Sequence, residues 1–200
     1  MARKLTIKRL TKSDLTIFYW HFINHRAGNQ KAINLNADIL VEKLYPDLDS
    51  FAQEQNGKLP IDLFIYGPGL GREYNLQRKI IKWRTYKNWR LDGEYVLNPD
   101  ESPDRFNSLQ PNDYGILEFI GAGKPSAMKI FLVAAEVEED KGLHAAITEK
   151  FNFQSMVQVT EGELEQLINS IEDLDPQHPI NQLILVPDSD IEDAALVSYK

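Results

Sequence analysis

The chain has 200 residues, 42% apolar and 26% charged, an ordinary globular composition that can supply one sizeable core. It has no cysteine, which excludes a disulfide framework, a thiolate nucleophile and a cysteine-based zinc site, and fits a reducing compartment. The net charge of −8 conceals a polarity: residues 1–90 carry 16 Arg and Lys against 8 Asp and Glu, whereas residues 91–200 carry 6 against 22.

The N-terminus, MARKLTIKRLTKSDL, is basic but lacks the apolar stretch of a secretory leader, and no run of 18 apolar residues occurs elsewhere. A soluble, cytoplasmic protein with no membrane partner is expected. Next comes HFINHRAGNQKAINLN (21–36), where Arg26 and Lys31 flank Gly28, Asn29 and Gln30, and Asn34 and Asn36 follow. No helical or strand period is clean here, so the segment reads as a glycine-pivoted loop rich in donors and acceptors. An Asx turn bonding its own backbone explains the same composition. His21 and His25 stand at i, i+4, but with no third ligand nearby they do not make a metal site. NADILVEKLYP (36–46) predicts a helix capped by Asn36 and stopped by Pro46.

IDLFIYG (61–67) alternates as a strand and runs into the glycine-rich turn GPGLG. EYNLQRKIIKWRTYKNWR (73–90) packs six Arg and Lys against one Glu and interleaves them with Trp83, Tyr86 and Trp89. Leu76, Ile80 and Trp83 fit a helix, while Ile81, Trp83 and Thr85 fit a strand. Either way Ile80, Ile81 and Trp83 are expected to anchor the segment in the core. Like charges repel unless an anion meets them. Lys and Arg neutralise phosphates, and Asn, Gln and Arg form paired hydrogen bonds to base edges, so the mixture suits nucleic acid better than a membrane surface.

Residues 91–113 hold three prolines and six acidic residues with little periodicity, and are expected to form a long surface loop. YGILEFIG (114–121) and AMKIFLVAAEV (127–137), joined by GAGKP, read as an antiparallel strand pair. EDKGLHAAITEKF (139–151) and TEGELEQLINSIEDL (160–174) read as amphipathic helices, the second opened by a Thr160–Glu163 capping box. HPINQLILVPD (178–188) reads as a further strand. Several short strands between turns favour a β-rich barrel or sandwich.

No strong catalytic constellation emerges. GPGLGREY lacks the Lys-Ser/Thr ending of a phosphate-binding loop, and neither a nucleophile elbow nor a zinc-protease helix motif occurs. Asp113, Glu139 and Lys141 superficially offer the carboxylates and lysine of a magnesium-dependent nuclease. The acidic cluster at 139 also suits the start of a helix, where it meets the helix dipole favourably.

The order of IKRL (7–10), GNQ (28–30), LVEKLYP (40–46), QRKIIKW (77–83), YGILEF (114–119) and KIFLVAAEVEED (129–140), with a weaker match near Leu183 to Pro187, resembles a known family. It is the N-terminal effector DNA-binding domain of EcoRII-type restriction endonucleases, whose pseudobarrel is shared with plant B-three transcription-factor domains. The resemblance implies a β-rich α+β fold: an open seven-stranded barrel with flanking helices, as one domain over 1–200. Its core would span about 1–155, with a C-terminal helix and strand from 156 onward packed on it. It further implies sequence-specific binding of double-stranded DNA in a restriction or defence system. Two arms would grip the major groove, with no cofactor and no catalysis in this chain, beside a nuclease domain or subunit. Carried over by position, the first arm resembles Asn29, Gln30, Lys31 and Asn34, and the second Asn75, Gln77, Arg78 and Lys79. Arg78, Lys79, Lys82 and Arg84 would contact phosphates, Asn29, Gln30, Lys31, Asn34, Asn75 and Gln77 would contact bases, and Arg26 is counted among the DNA-binding residues. Asn29 and Asn34 stand where the family has a His and a Tyr. Asn75 and Gln77 stand where it has an acidic residue and a further Arg, so a different or modified target is expected. A small magnesium-dependent endonuclease and a module docking an acidic protein partner are the alternatives.

Overall fold

The computed structural model describes residues 2–184. Eight strands form one mixed sheet that curls into a nearly closed barrel: β1 (Lys4–Arg9), β2 (Ile33–Leu35), β3 (Lys58–Tyr66), β4 (Tyr74–Ile81), β5 (Trp89–Asp92), β6 (Tyr114–Ile120), β7 (Ala127–Val133) and β8 (Met156–Val159). The order is β2-β5-β4-β3-β7-β6-β1-β8, and every pairing is antiparallel except β3 with β7. The architecture is a β-rich α+β pseudobarrel, with one strand more than expected. Among the described residues no helix is long and apolar enough to cross a membrane.

Strand periodicity places the cores. Leu59, Ile61, Leu63 and Ile65 of β3, Ile80 of β4, Leu91 of β5, Leu117 and Phe119 of β6, and Met128, Ile130 and Leu132 of β7 point inward and fill the barrel. The opposite faces of β1, β6, β7 and β8 carry Leu5, Ile7, Ile116, Phe131 and Val159, which form a second apolar layer. It lies beneath α5 (Lys141–Lys150) and α6 (Glu161–Asn169), whose Leu143, Ile147, Leu164, Leu167 and Ile168 are all buried. Strands covered on both sides lose their polar alternation, as β6 does. The outer face of β2, β5 and β4 and of the first part of β3 has no such cover. That asymmetry creates the site described below.

Four further helices lie between β1 and β3: α1 (Lys12–Leu15), α2 (Tyr19–Asn24), α3 (Ala37–Ile39), which continues into a π-helical turn over Leu40–Leu44, and α4 (Leu48–Glu54). Asp14 of α1 ties the edge strand β2 to β1 across the gap in the barrel. One carboxylate oxygen accepts the Asn34 N–H of β2 at 2.9 Å, and the other pairs with the Lys8 ammonium of β1 at 3.1 Å. The helices expected at 36–46, 139–151 and 160–174 form, and Thr160 and Glu163 make the reciprocal cap. The strand expected at 178–188 does not form over its first part, because Pro179 opens a 3-10 turn over Pro179–Leu183; residues 185–188 lie outside those described.

The GPGLG turn needs its first glycine. Gly67 has φ +76°, and a Cβ there would sit 2.4 Å from the Leu132 carbonyl oxygen of β7.

Candidate nucleic-acid interface

The basic segment 73–90 is neither one helix nor one continuous strand: it is β4, an exposed turn over 82–88, and the start of β5. Pairing with β3 on one side and β5 on the other settles what local pattern left open. The two-residue period then sorts its side chains. Asn75, Gln77 and Lys79 project from the uncovered outer face at intervals of about 7 Å. Arg90 of β5 pairs in register with Asn34 of β2, and both lie on the same outer face as Ile81. Gln77 is already engaged as a donor to Asp62.

Arg78 has the opposite parity and turns toward the inner face. Its guanidinium donates to the carbonyl oxygens of Gln77 at 2.7 Å and Tyr95 at 2.9 Å, while its Nε is buried with no partner among the described residues. Burial holds this guanidinium below its ordinary value, against the opposing pull of Glu94. The chain passes close by: a Cβ on Gly93 would lie 2.9 Å from the Arg78 Cδ.

The first segment leaves α2 as an exposed loop and enters β2. Arg26 folds back on it, donating to the Gly28 carbonyl and the Asn29 side-chain oxygen and lying 4.8 Å from the Phe22 ring centre. The Gln30 carbonyl accepts the Thr16 hydroxyl at 2.6 Å, which leaves the Gln30 side chain free of that tether. The Lys31 ammonium sits 4.3 Å from the centre of the Tyr95 ring. Lys31 and Arg78, from the two separate segments, therefore converge on one residue, Tyr95, through its ring and its carbonyl. Phe22 and Tyr19 pack against the same ring, at 4.7 and 5.3 Å.

Lys82 and Arg84 lie at the other end of the sheet. The register Ile33 to Leu91 and Leu35 to Trp89 sets the 25–32 loop at the Asp92 end of β5 and the 82–88 turn at its Trp89 end. Lys82 pairs there with Asp49 at 3.0 Å, and Lys87 with Asp38 at 2.6 Å. Ile80 and Ile81 are buried as expected. Trp83 is 49% exposed, and Trp89 takes the anchoring role inside the barrel because it, and not Trp83, has the parity of Leu91.

Sequence reasoning missed Tyr95 and the outward placement of Arg90. Tyr95 sits in the acidic stretch expected to be a surface loop, yet Val96, Phe106 and Leu109 from that stretch are core residues. Asn98 clamps it, accepting the Phe106 N–H and donating to Asn107, both at 2.9 Å.

Two of the three residues considered for catalysis are engaged otherwise. Asp113 accepts the N–H groups of Gln110 at 2.7 Å and Ala135 at 3.0 Å, and Lys141 pairs with Glu138. Among the described residues no three His, Asp or Glu side chains are placed to hold a metal ion. His21 is buried against the Phe106 carbonyl oxygen at 2.8 Å, and burial lowers its pKa. Because the folded value lies below the unfolded one, the unfolded chain binds the extra proton. His21 therefore removes stability as pH falls through about 6.5 toward the folded value. In urea unfolding at a series of pH values, His21→Gln should show a shallower loss between pH 7 and 5 than the parent protein. Parallel curves would contradict this role. Comparison with protein-family models and with curated proteins returned no match to this chain.

Proposed function

We propose that the chain is a sequence-reading double-stranded DNA-binding domain without chemistry of its own, acting with a nuclease domain or subunit in a restriction or defence system. One observation carries the reading: two basic, amide-bearing segments far apart in sequence meet at Tyr95, just past the Asp92 end of β5, where the inward-turned Arg78 and Lys31 both reach it. A strand ribbon fits the major groove, which is about 12 Å wide. Asn34, Asn75 and Gln77 on the strands and Asn29 and Gln30 on the loop are the base readers. Arg26, Lys31 and Lys79 contact phosphates beside them, and Arg84 adds a charge at the far end of the sheet, where Lys82 would have to leave Asp49 to reach a phosphate. Arg78 acts as a support, holding Tyr95 and hence Lys31. The charge polarity agrees with this division: residues 91–200 supply most of the acidic side chains, including those of α5 and α6 on the covered side.

The experiment is fluorescence anisotropy with duplexes selected from a randomised pool. Lys79 has no ion-pair partner among the described residues, so Lys79→Ala should preserve the fold and reduce the log–log salt slope of duplex binding by about 0.9. Asn75→Ala should instead change which sequence is selected. A Lys79→Ala slope equal to the parent's would remove the phosphate role, and binding to acidic peptides but not to any duplex would transfer the site to a protein partner. Plasmid cleavage with magnesium, abolished by Glu139→Ala, would restore the nuclease reading.

A further inference from the structure

At the Trp89 end of β5, away from Tyr95, an open cleft of about 660 Å³ separates α4 from the β4–β5 turn. Its wall on the helix is Asp49, Ala52 and Gln53, its base is Asn56 and Gly57, and Lys82 and Arg84 close the far side. The frame is fixed. The Gly57 N–H donates to the Ala52 carbonyl at 2.6 Å, the Lys82 N–H donates to the Gly57 carbonyl at 2.9 Å, and a Cβ on Gly57 would meet the Lys82 carbonyl oxygen at 2.5 Å. Helix, turn and strand cannot drift apart without breaking these contacts.

The chemistry left over in this frame is specific. Lys82 and Asp49 neutralise each other at 3.0 Å. The exposed side chains of Gln53, Asn56 and Arg84 have no hydrogen-bond or ion-pair partner among the described residues. The cleft thus offers one uncompensated guanidinium, which matches a phosphate by paired hydrogen bonds, and two carboxamides, which match a donor–acceptor edge. A lone inorganic anion would use the first and leave both amides idle, and a cleft of this size is in the range that holds a small organic ligand.

We propose that this cleft binds one nucleotide unit, with Arg84 on the phosphate and Gln53 and Asn56 on the base edge. The proposal shares with the duplex reading only that this end of the sheet meets phosphate, and a protein that binds no duplex can still show it. A free nucleotide and the 5′-phosphorylated end of a strand share this chemistry.

The test follows the side-chain amide resonances of Gln53 and Asn56 in isotope-labelled protein titrated with nucleoside 5′-monophosphates, the matching nucleosides, inorganic phosphate, and short single strands with and without a 5′-phosphate. Nucleoside monophosphates should shift both resonances. Arg84→Gln should weaken that binding about tenfold, the factor one charge-assisted hydrogen bond carries, while nucleoside binding stays as it was. Asn56→Gly, which keeps the left-handed backbone at φ +54°, should weaken nucleotide and nucleoside alike. Tighter binding of the phosphorylated single strand assigns the site to nucleic-acid ends, and tighter binding of the monophosphate assigns it to a free metabolite. Shifts by inorganic phosphate at the same concentration as the nucleotide, or no shift with any nucleotide, would overturn the proposal.

Discussion

Asp14→Ala is expected to lower the unfolding free energy by about 3–5 kcal/mol, the range for removing one partner of a buried ion pair. Three contacts are lost together. The Lys8 ammonium, on a side chain 1% exposed, keeps only the Ser155 hydroxyl at 3.3 Å. The Thr11 N–H loses its cap acceptor at 2.9 Å, and the Asn34 N–H loses the oxygen that holds β2 at the seam. Denaturant titration should show a lower midpoint with an unchanged slope, because the surface exposed on unfolding stays the same. A loss below about 1 kcal/mol would mean that the pair is solvated or replaceable. The double change Lys8→Met with Asp14→Leu should recover part of the loss, since an apolar pair of similar volume avoids the stranded charge. It should not recover the Asn34 tether, so under the proposed DNA-binding role duplex affinity should stay reduced even where stability returns.

Asp140→Ala should have an effect of the same order, about 3–5 kcal/mol, because three buried N–H donors lose their acceptor, each costing about 1–3 kcal/mol. Its carboxylate is fully buried and joins three parts of the chain. One oxygen accepts the backbone N–H groups of Gly69 and Ala134, each at 2.9 Å. The other accepts the His178 Nε2–H at 2.7 Å, and the His178 Nδ1 in turn accepts the Ile180 N–H at 3.2 Å, which fixes the tautomer. The GPGLG turn, the end of β7 and the 3-10 turn at Pro179–Leu183 all hang on this one side chain. Asp140→Asn tests the hydrogen bonding separately from volume, because an amide nitrogen must face an N–H donor in one of the two positions. It should recover less than half of the loss. His178→Ala should cost less than Asp140→Ala, since the two backbone donors keep their acceptor. The reverse order in thermal or denaturant unfolding would show that the histidine, not the carboxylate, organises the junction.

The elements legible in the sequence were those with a strong local signal. β3, β6 and β7 are apolar runs bounded by glycine turns, and α6 has both a reciprocal cap and an apolar stripe. α1 and α2 were not legible. Thr16, Ile17, Phe18, Tyr19 and Trp20 are residues that prefer strands, and only tertiary contact makes the chain helical from Tyr19 onward. The cap of α1 uses Asp14 at the position where Glu or Gln gives the usual signal. At Pro179 the error ran the other way, because the alternation of Ile, Leu and polar residues imitates a strand.

For the candidate site, residue type picked out two segments that the fold brings together at Tyr95, but it could not assign faces. Asn75, Gln77 and Lys79 share a face because β4 pairs on both sides, and the same parity turns Arg78 inward. A helix over the same residues would have put Arg78 and Lys82 together. The separation of Lys82 and Arg84 from the 25–32 loop follows from the register of β2 on β5, a contact between residues more than 50 positions apart. Tyr95 gave no signal because nothing in an aperiodic acidic stretch marks one aromatic ring as the meeting point of two basic segments.

The topology of β1 has a consequence for how the chain is made. Its partners are β6 and β8, so on the ribosome β1 waits for residues 114–120 before either of its edges is paired. Until then Leu5 and Ile7 have no apolar layer, and Lys8 has only Asp14 near it in sequence. The β3–β4–β5 meander is built from neighbours and can assemble earlier, whereas the closing step must join β1 to strands far along the chain. Contacts of such long sequence separation slow folding and leave an unpaired edge on the nascent chain. The charged ends of β1, Lys4 and Arg9, stand where gatekeeping residues would keep that waiting strand from pairing with another copy.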